Sequence, residues 1–348
     1  MQPIIVGAGL TGLTLAWYWK QIGVRALVIE ARERVGGRIH TVRQPGQAAG
    51  VEMGATWLGL KHTALTALLQ SLNLSIVEQF LGDTAIYEPI STSPPQLVQL
   101  PHNSEPSYRI AGGTDTLIKA LVEHLEPEQI VLGQPVRQII LENDQILVQT
   151  NENQYIGNMV VCTIPPNLWL RNIAFSPKLP LPLEEIAAQT HTWMGESIKV
   201  GLTYQQPFWK KPHAGATVFS NVGPISELYD HSAPEHRFFA LKGFLNGAYQ
   251  IATQQERKDI ALQQLRKYYG KQVEMFDEYL DTVWAAEPFT YTAYQHPVLP
   301  HQNNGNPIFR QPYWNGKLFF GGSETADLFP GYMDGAVRSA KFLFDLIR

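Results

Sequence analysis

The sequence predicts an α/β fold, and three observations carry that expectation. The first is the succession of Pro3-Ile4-Ile5-Val6, then Gly7-Ala8-Gly9-Leu10-Thr11-Gly12, then Leu13-Thr14-Leu15-Ala16-Trp17-Tyr18-Trp19: a short apolar strand, a glycine-rich turn and a helix. The second is another apolar strand, Ala26-Leu27-Val28-Ile29, ending on Glu30, which lies 23 positions after Gly7. The third is size: 348 residues, 44% of them hydrophobic and without an internal repeat, suffice for two domains, or one with insertions, around a sizeable core. The glycines permit a tight turn and let the backbone approach a pyrophosphate on the helix N-terminus, while an acid ending the second strand can accept hydrogen bonds from a ribose. A bare GxGxxG is weak, but strand, turn, helix, strand and acid in this order form a specific signature. Gly7, Gly9, Gly12 and Glu30 are therefore candidate dinucleotide ligands, and to this point nicotinamide and flavin dinucleotides fit equally.

Composition excludes other classes. Lys and Arg number 27 against 31 Asp and Glu, a formal net charge of −4, so no general attraction to nucleic acid or anionic lipid is expected. One cysteine, Cys162, permits no intramolecular disulfide or thiolate cluster and fits a reducing compartment. No apolar run approaches membrane-spanning length and no basic leader precedes an apolar stretch, so the chain is read as soluble, unexported and cytoplasmic. No HExxH, paired Cys/His spacing or GxSxG elbow occurs, and no metal is expected. His296 and His301, flanking Pro297 to Pro300, are expected in solvent.

Beyond Glu30 the chain continues Ala31-Arg32-Glu33-Arg34-Val35-Gly36-Gly37-Arg38. Here it resembles the flavin-dependent amine oxidases, the family of monoamine and polyamine oxidases. The resemblance implies that this stretch folds over the pyrophosphate of FAD, with Gly37 making room and Arg38 supplying charge, beside Ala31 and Arg32. The residue types suit that role, since arginine makes bidentate phosphate contacts and paired glycines adopt backbone conformations that other residues avoid. Val51-Glu52-Met53-Gly54-Ala55-Thr56-Trp57 looks like the family segment beside the isoalloxazine, giving Gly54, Ala55, Thr56 and Trp57 as candidates. Arg109-Ile110-Ala111-Gly112-Gly113 looks like its glycine pair before a helix, Pro135-Val136 like the strand touching the adenine side, and Val160-Val161-Cys162-Thr163-Ile164-Pro165-Pro166 like its later strand and turn. The most distinctive match is Phe319-Phe320-Gly321-Gly322-Ser323-Glu324-Thr325-Ala326 followed by Gly331-Tyr332-Met333-Asp334-Gly335-Ala336-Val337, where Gly322, Glu324, Tyr332 and Met333 would hold the flavin.

Three side chains carry the chemistry that the resemblance implies. Lys199 occupies the place of the lysine that holds a water near flavin N5 and would assist oxygen reactivity. Tyr294 and Tyr332 match two tyrosines facing each other before the flavin, an aromatic slot that would steer a neutral amine. Trp284 matches a tryptophan lining the flavin. The departures are informative too. Ala293 stands where monoamine oxidases place the cysteine bonded to the flavin, so FAD is expected to be noncovalent. Gly59 stands where polyamine oxidases carry a histidine; the nearby His62 is out of register and is expected at the surface, which favours the monoamine-like branch. No arginine occurs between Arg43 and Arg109, which disfavours amino-acid oxidation. Between Asp83 and Ser107 a short Pro- and Ser-rich passage replaces a long helical insertion of larger members, so a shortened substrate domain and a more open cavity are expected. A helix is expected over 336–347, and no membrane anchor like that of mitochondrial monoamine oxidases is expected after it.

The expected architecture is thus a Rossmann-like FAD-binding domain from 1–83, 107–188 and 294–348, with an inserted α+β substrate domain from 84–106 and 189–293. That is the two-domain arrangement of amine oxidases and p-hydroxybenzoate hydroxylase. Within the insertion, strands over 199–204 and 237–245 and a helix over 254–269 are expected. The implied activity is oxidation of a small-molecule amine, by hydride transfer from its α-carbon to flavin N5, to an imine or aldehyde, with dioxygen as acceptor and hydrogen peroxide as product. Two other readings stand beside it: a renalase-like or desaturase-like flavoprotein acting on a non-amine C–H donor, and a flavin-binding interaction protein with little turnover. Oligomeric state, including a homo-oligomer, stays open.

Overall fold

The computed structural model describes residues 2–102, 104–211 and 214–347; Met1, Asn103, Pro212, His213 and Arg348, which fall inside the expected segments, lie outside the described residues. A five-stranded parallel sheet has the order Ile130–Val131, Leu27–Ile29, Ile4–Val6, Val160–Cys162, Leu318–Phe320. Its strands read as continuous apolar runs because both faces are covered. Ile5, Val28, Val161 and Phe319 face the helices Leu10–Gln21, Asp115–Glu123 and Met333–Ile347 through Leu13, Leu117, Leu121, Ala340 and Leu343. The alternate residues Ile4, Val6, Ile29, Val160, Cys162 and Phe320 pack on the opposite side with Ile139, Ile146, Trp169 and Leu183. That side carries a four-stranded sheet, Gln154–Gly157, Gln145–Thr150, Val136–Glu142 and Ala174–Ser176.

A seven-stranded sheet stands apart, ordered Phe276–Val283, Ile198–Tyr204, Phe239–Leu245, Ile225–Asp230, Thr217–Ser220, Thr84–Glu88, Gln96–Gln99. It is antiparallel except where Thr217–Ser220 meets Thr84–Glu88. The helix Gln254–Tyr269 packs on it through Ala261 and Leu265, and starts at a capping box in which Thr253 and Glu256 satisfy each other's backbone N–H groups. The Pro- and Ser-rich passage joins two strands of this sheet rather than running as bare loop. The last helix begins at Met333, three residues before the expected 336, and Asp334 in its first turn accepts the Leu65 backbone N–H at 2.8 Å.

The turn after the first strand depends on absent side chains. Gly7 has φ +104°, and a Cβ on Gly12 would stand 2.1 Å from the Gly7 carbonyl oxygen, so helix and turn touch backbone to backbone. A Cβ on Gly9, with φ −77°, would meet nothing within 4 Å. Gly12→Ala should therefore cost about 1–3 kcal/mol through overpacking, read as a lower Tm. Gly9→Ala should leave the Tm of the FAD-free protein unchanged; equal losses in the two FAD-free variants would show that the close contact at Gly12 does not limit the turn.

Candidate active site

A cavity of about 380 Å³ begins at this turn and runs between the parallel sheet and the seven-stranded sheet. At one end it is lined by Gly7, Gly9, Glu30, Ala31, Arg32 and Val136, in the middle by Gly36, Gly37 and Arg38, and at the far end by Gly54, Ala55, Thr56, Trp57, Lys199, Trp284, Tyr332 and Met333. Gly12, Gly322, Glu324 and Tyr294 are not among its lining residues.

The first end has the chemistry of a ribose site. Glu30 is buried, and its two oxygens accept the backbone N–H groups of Ala8 at 2.8 Å and Arg32 at 2.9 Å. A carboxylate fixed this way keeps lone pairs for further donors. The open space over Gly9 faces the N-terminus of the helix Leu10–Gln21, where unsatisfied N–H groups favour an anion. The donor set, the cradle and the length of the cavity fit a dinucleotide.

Arg38 lines the middle of the cavity and is held there by an ion pair. Its guanidinium forks onto Glu324, with Nη1 to Oε1 at 2.6 Å and Nη2 to Oε2 at 2.8 Å, and it also donates to Ser323 Oγ and the Trp193 carbonyl. Burial pushes the Glu324 carboxyl up, but the Arg38 charge, with hydrogen bonds from Arg38 and Ser323, outweighs burial and holds it below the usual carboxylate range. Arg32 is likewise engaged, donating to Glu287, Thr290 Oγ1 and the Phe289 carbonyl. Gly322, with φ +125°, donates its N–H to Ser339 Oγ.

At the far end Lys199 projects from Ile198–Tyr204, an interior strand of its sheet in which every residue is buried. Its Nζ lies 3.9 Å from the Phe244 ring centroid and 5.2 Å from that of Trp57. Burial lowers its pKa to about 8, partly offset by a hydrogen bond to Lys242 and by the charges of Glu52 and Glu227. Trp284 is fixed by donating its indole N–H to the Met53 carbonyl at 2.8 Å.

The two tyrosines do not pair with each other. The Tyr294 hydroxyl accepts the Thr192 N–H at 2.7 Å and donates to the Thr190 carbonyl, which ties its ring beside His191. Tyr332, 39% exposed, instead neighbours Trp193, His301 and His62 at 5.7, 6.0 and 5.9 Å between ring centroids. Two histidine expectations are corrected. His301 stacks on Trp193 at 3.9 Å rather than lying free in solvent. His62 is buried, because its Nδ1 accepts the Gly59 N–H and its ring packs edge-on to Phe329. Trp193, Phe244 and Lys242 carried no recognisable local motif; Phe244 and Lys242 could be found only through the register of Phe239–Leu245 against Ile198–Tyr204.

Comparison with known proteins agrees with this geometry. The family model described as flavin containing amine oxidoreductase matches residues 10–102 and 89–342. The chain is 23% identical to the probable flavin-containing monoamine oxidase A of Dictyostelium discoideum, over 97% of this chain and 95% of that protein. It is 24% identical to flavin-containing amine oxidase A of Sus scrofa, over 98% and 84%. Among solved structures, putrescine oxidase bound to putrescine superposes with a TM-score of 0.84 at 22% identity, covering 99% of this chain and 98% of that one. Cyclohexylamine oxidase from Brevibacterium oxydans gives 0.85 at 18%, with the same coverage. The chain belongs to the flavin-containing amine oxidase family. It is an FAD-dependent amine oxidase that holds its cofactor noncovalently; residue 293 is alanine, and Cys162 is sealed in the parallel sheet, its thiol pushed up to about 12 by burial. Among the described residues no helix is long and apolar enough to cross a membrane, and no group of three or more His, Cys, Asp or Glu is placed to hold a metal ion.

Two predictions follow from these groups. Glu324→Gln should destabilise the protein by about 3 kcal/mol, since it leaves the Arg38 charge without its counter-ion. Because the folded-state pKa of Glu324 is depressed, its contribution is present above the usual carboxylate range and is lost as pH falls through the lower folded value. The Tm gap between wild type and variant should narrow on acidification, and a gap constant with pH would exclude the ion pair as its source. Cys162 should resist iodoacetamide in the native protein at pH 8 and react once the chain is unfolded; native labelling would contradict its burial.

Proposed function

We propose that the enzyme oxidises monoamines carrying an apolar substituent, by hydride transfer from the amine α-carbon, with dioxygen as acceptor. The observation that carries this reading is the far end of the cavity. A buried lysine lies there against the rings of Trp57 and Phe244, near Trp284, Trp193 and Tyr332, and among the described lining residues the one carboxylate, Glu30, sits at the opposite end. When bound, FAD supplies the electron acceptor for the α-carbon hydride, and its reoxidation delivers two electrons to dioxygen to give hydrogen peroxide.

The chain's own residues account for the rest. The aromatic walls exclude water and favour the neutral amine, the form whose nitrogen lone pair can assist loss of hydride. Lys199, charged below its pKa of about 8, repels an ammonium ion and so acts toward the same selection. A diamine or polyamine brings a second ammonium group for which this end offers no lining carboxylate, which supports the monoamine-like branch. Lys199 Nζ is also the cation available to stabilise negative charge developing on dioxygen. The expected imine leaves for hydrolysis in water, giving the aldehyde from a primary amine. The buried lone cysteine supports a cytoplasmic setting.

Anaerobic mixing of the holoenzyme with aryl-alkyl amines, polyamines, amino acids and NAD(P)H, followed by loss of oxidised-flavin absorbance, tests this reading. Monoamines should bleach the flavin fastest. Bleaching by reduced nicotinamide alone, or by no amine, would overturn it in favour of a different donor or of a flavin-binding interaction protein. Lys199→Met should slow reoxidation by dioxygen far more than reduction by amine. In the wild type the reoxidation rate should fall as pH rises through about 8, as the lysine loses its proton, and the variant should lack that limb.

A further inference from the structure

Behind Trp57 lies a second lysine that the mechanism above does not use. Lys242 sits on Phe239–Leu245, paired with Gly201 of Ile198–Tyr204, while Lys199 two residues earlier pairs with Phe244. The two lysines are therefore diagonal neighbours on one face of the sheet, within reach of each other's long side chains. Gly201 between them carries no side chain, and a Cβ there would stand 2.5 Å from Val51 Cγ1, so the strand Val51–Glu52 packs down over this position. Lys242 is completely buried; its Nζ lies 4.1 Å from the Trp57 ring centroid and donates to Thr56 Oγ1, which donates to the Gly54 carbonyl at 3.1 Å.

Both amines stand against one ring, Lys242 Nζ 4.1 Å and Lys199 Nζ 5.2 Å from the Trp57 centroid. An ammonium group has three donors and no acceptor, so one of these lysines can accept from the other only as a neutral amine offering its lone pair. Lys242, with no solvent exposure, is the one that burial and then the neighbouring Lys199 charge hold well below the ordinary lysine range. The other charged and titratable groups around the pair are Glu52 on Val51–Glu52, Glu227 on Ile225–Asp230, Arg109 on Tyr108–Ile110, and His231. The strand Phe276–Val283 places Thr282 opposite Lys199. Glu52 favours a charge on both lysines and Glu227 on Lys199, whereas Arg109 opposes one on Lys242, where burial dominates. His231 is held well below its ordinary range by burial and then by Arg109, Lys242 and Lys199.

We propose that Lys242 is the positioning residue of Lys199: a second amine behind Trp57 that accepts the Lys199 hydrogen bond and passes the contact on to Thr56 at the cavity wall. The pair fixes where the Lys199 Nζ stands and helps keep its proton in place. The inference rests on the proposed dioxygen role of Lys199 only for its kinetic consequence, so the primary readout is titration of the amines themselves.

The holoenzyme is labelled with carbon-13 at lysine Cε and nitrogen-15 at Nζ, and the Lys199 and Lys242 signals are followed by NMR through pH. Lys242→Met removes the acceptor at similar volume and should move the Lys199 midpoint down by about one pH unit. Lys242→Gln, whose amide can both accept from Lys199 and donate to Thr56, should restore it. Lys199→Met should move the Lys242 midpoint up, since the pair is coupled reciprocally, and this arm does not require Lys242 variants to fold. The reoxidation pH profile should shift with Lys242→Met as the NMR midpoint does. A Lys199 midpoint that ignores Lys242→Met, or a Lys242 midpoint that ignores Lys199→Met, overturns the proposal. Coupled midpoints with unaltered oxygen kinetics uphold the pair, and it is then the dioxygen role of Lys199 that fails.

Discussion

The fork between Arg38 and Glu324 closes the cavity in the middle, and much of the site depends on it. Arg38 follows the glycine pair of the N-terminal loop, Glu324 belongs to the loop after the last parallel strand, and the Trp193 N–H and carbonyl bind one to each partner. Three segments far apart in sequence thus converge on two opposite charges. A buried ion pair gives little net stability against a hydrophobic alternative, because desolvation consumes most of its attraction, but it is costly to break on one side. Its contribution is to specify closure: Trp193 is held where it can stack on His301 and neighbour Tyr332, and the loop before the last helix is held against the glycine-rich turn. Arg38 thus both lines the cavity and shapes it, and the helix N-terminus beside Gly9 opens onto the same space.

The lysine pair shows the opposite trade. Lys199 loses its proton at about pH 8 when folded, well below the ordinary lysine range. Between these values the unfolded chain binds more protons, so this group makes the fold more stable as pH rises and less stable near neutrality. Keeping an ammonium among aromatic rings at pH 7 is a cost that packing elsewhere must offset, and such costs concentrate at sites where chemistry needs them. Glu52 belongs to the same arrangement. Burial raises its pKa above the usual carboxylate range, outweighing the hydrogen bond it accepts from the Thr114 N–H.

What was legible in the sequence is what local chemistry determines. Gly7, Gly9, Gly12 and Glu30 are separated by one turn, one helix and one strand, so their spacing carries the geometry. Lys199, Trp284 and Tyr332 could be placed by resemblance because they stand within motifs. The remainder depends on register and on long-range pairing. Nothing in Ala240-Leu241-Lys242-Gly243-Phe244 marks Lys242 as buried until its strand is paired with Ile198–Tyr204. His62 looked like a surface residue since its cover, Phe329, comes from the other end of the chain. Tyr294 looked like half of a slot, but backbone partners at Thr190 and Thr192 anchor its hydroxyl elsewhere. The Pro- and Ser-rich passage hid two strands because the first, Thr84–Glu88, joins the sheet through Thr217–Ser220, which lies far along the chain.

The segment 84–106 contributes two strands at one end of the seven-stranded sheet, away from the strands that carry the lysines. Electrostatic preorganisation is usually credited to lids that expel water from above the reacting atoms. Here the groups that set the field lie within the sheet: Lys199 and Lys242 on adjacent interior strands, Glu52 on the strand packed over Gly201, and Trp57 against both amines. Every residue of Ile198–Tyr204 is buried and Lys242 has no exposure, so the low dielectric that lowers both lysines comes from the sheet and the segments packed on it. Tyr332 can remain partly exposed at the mouth while Lys199 stays buried. Exposure at the mouth and burial of the lysine are thereby separated onto different elements.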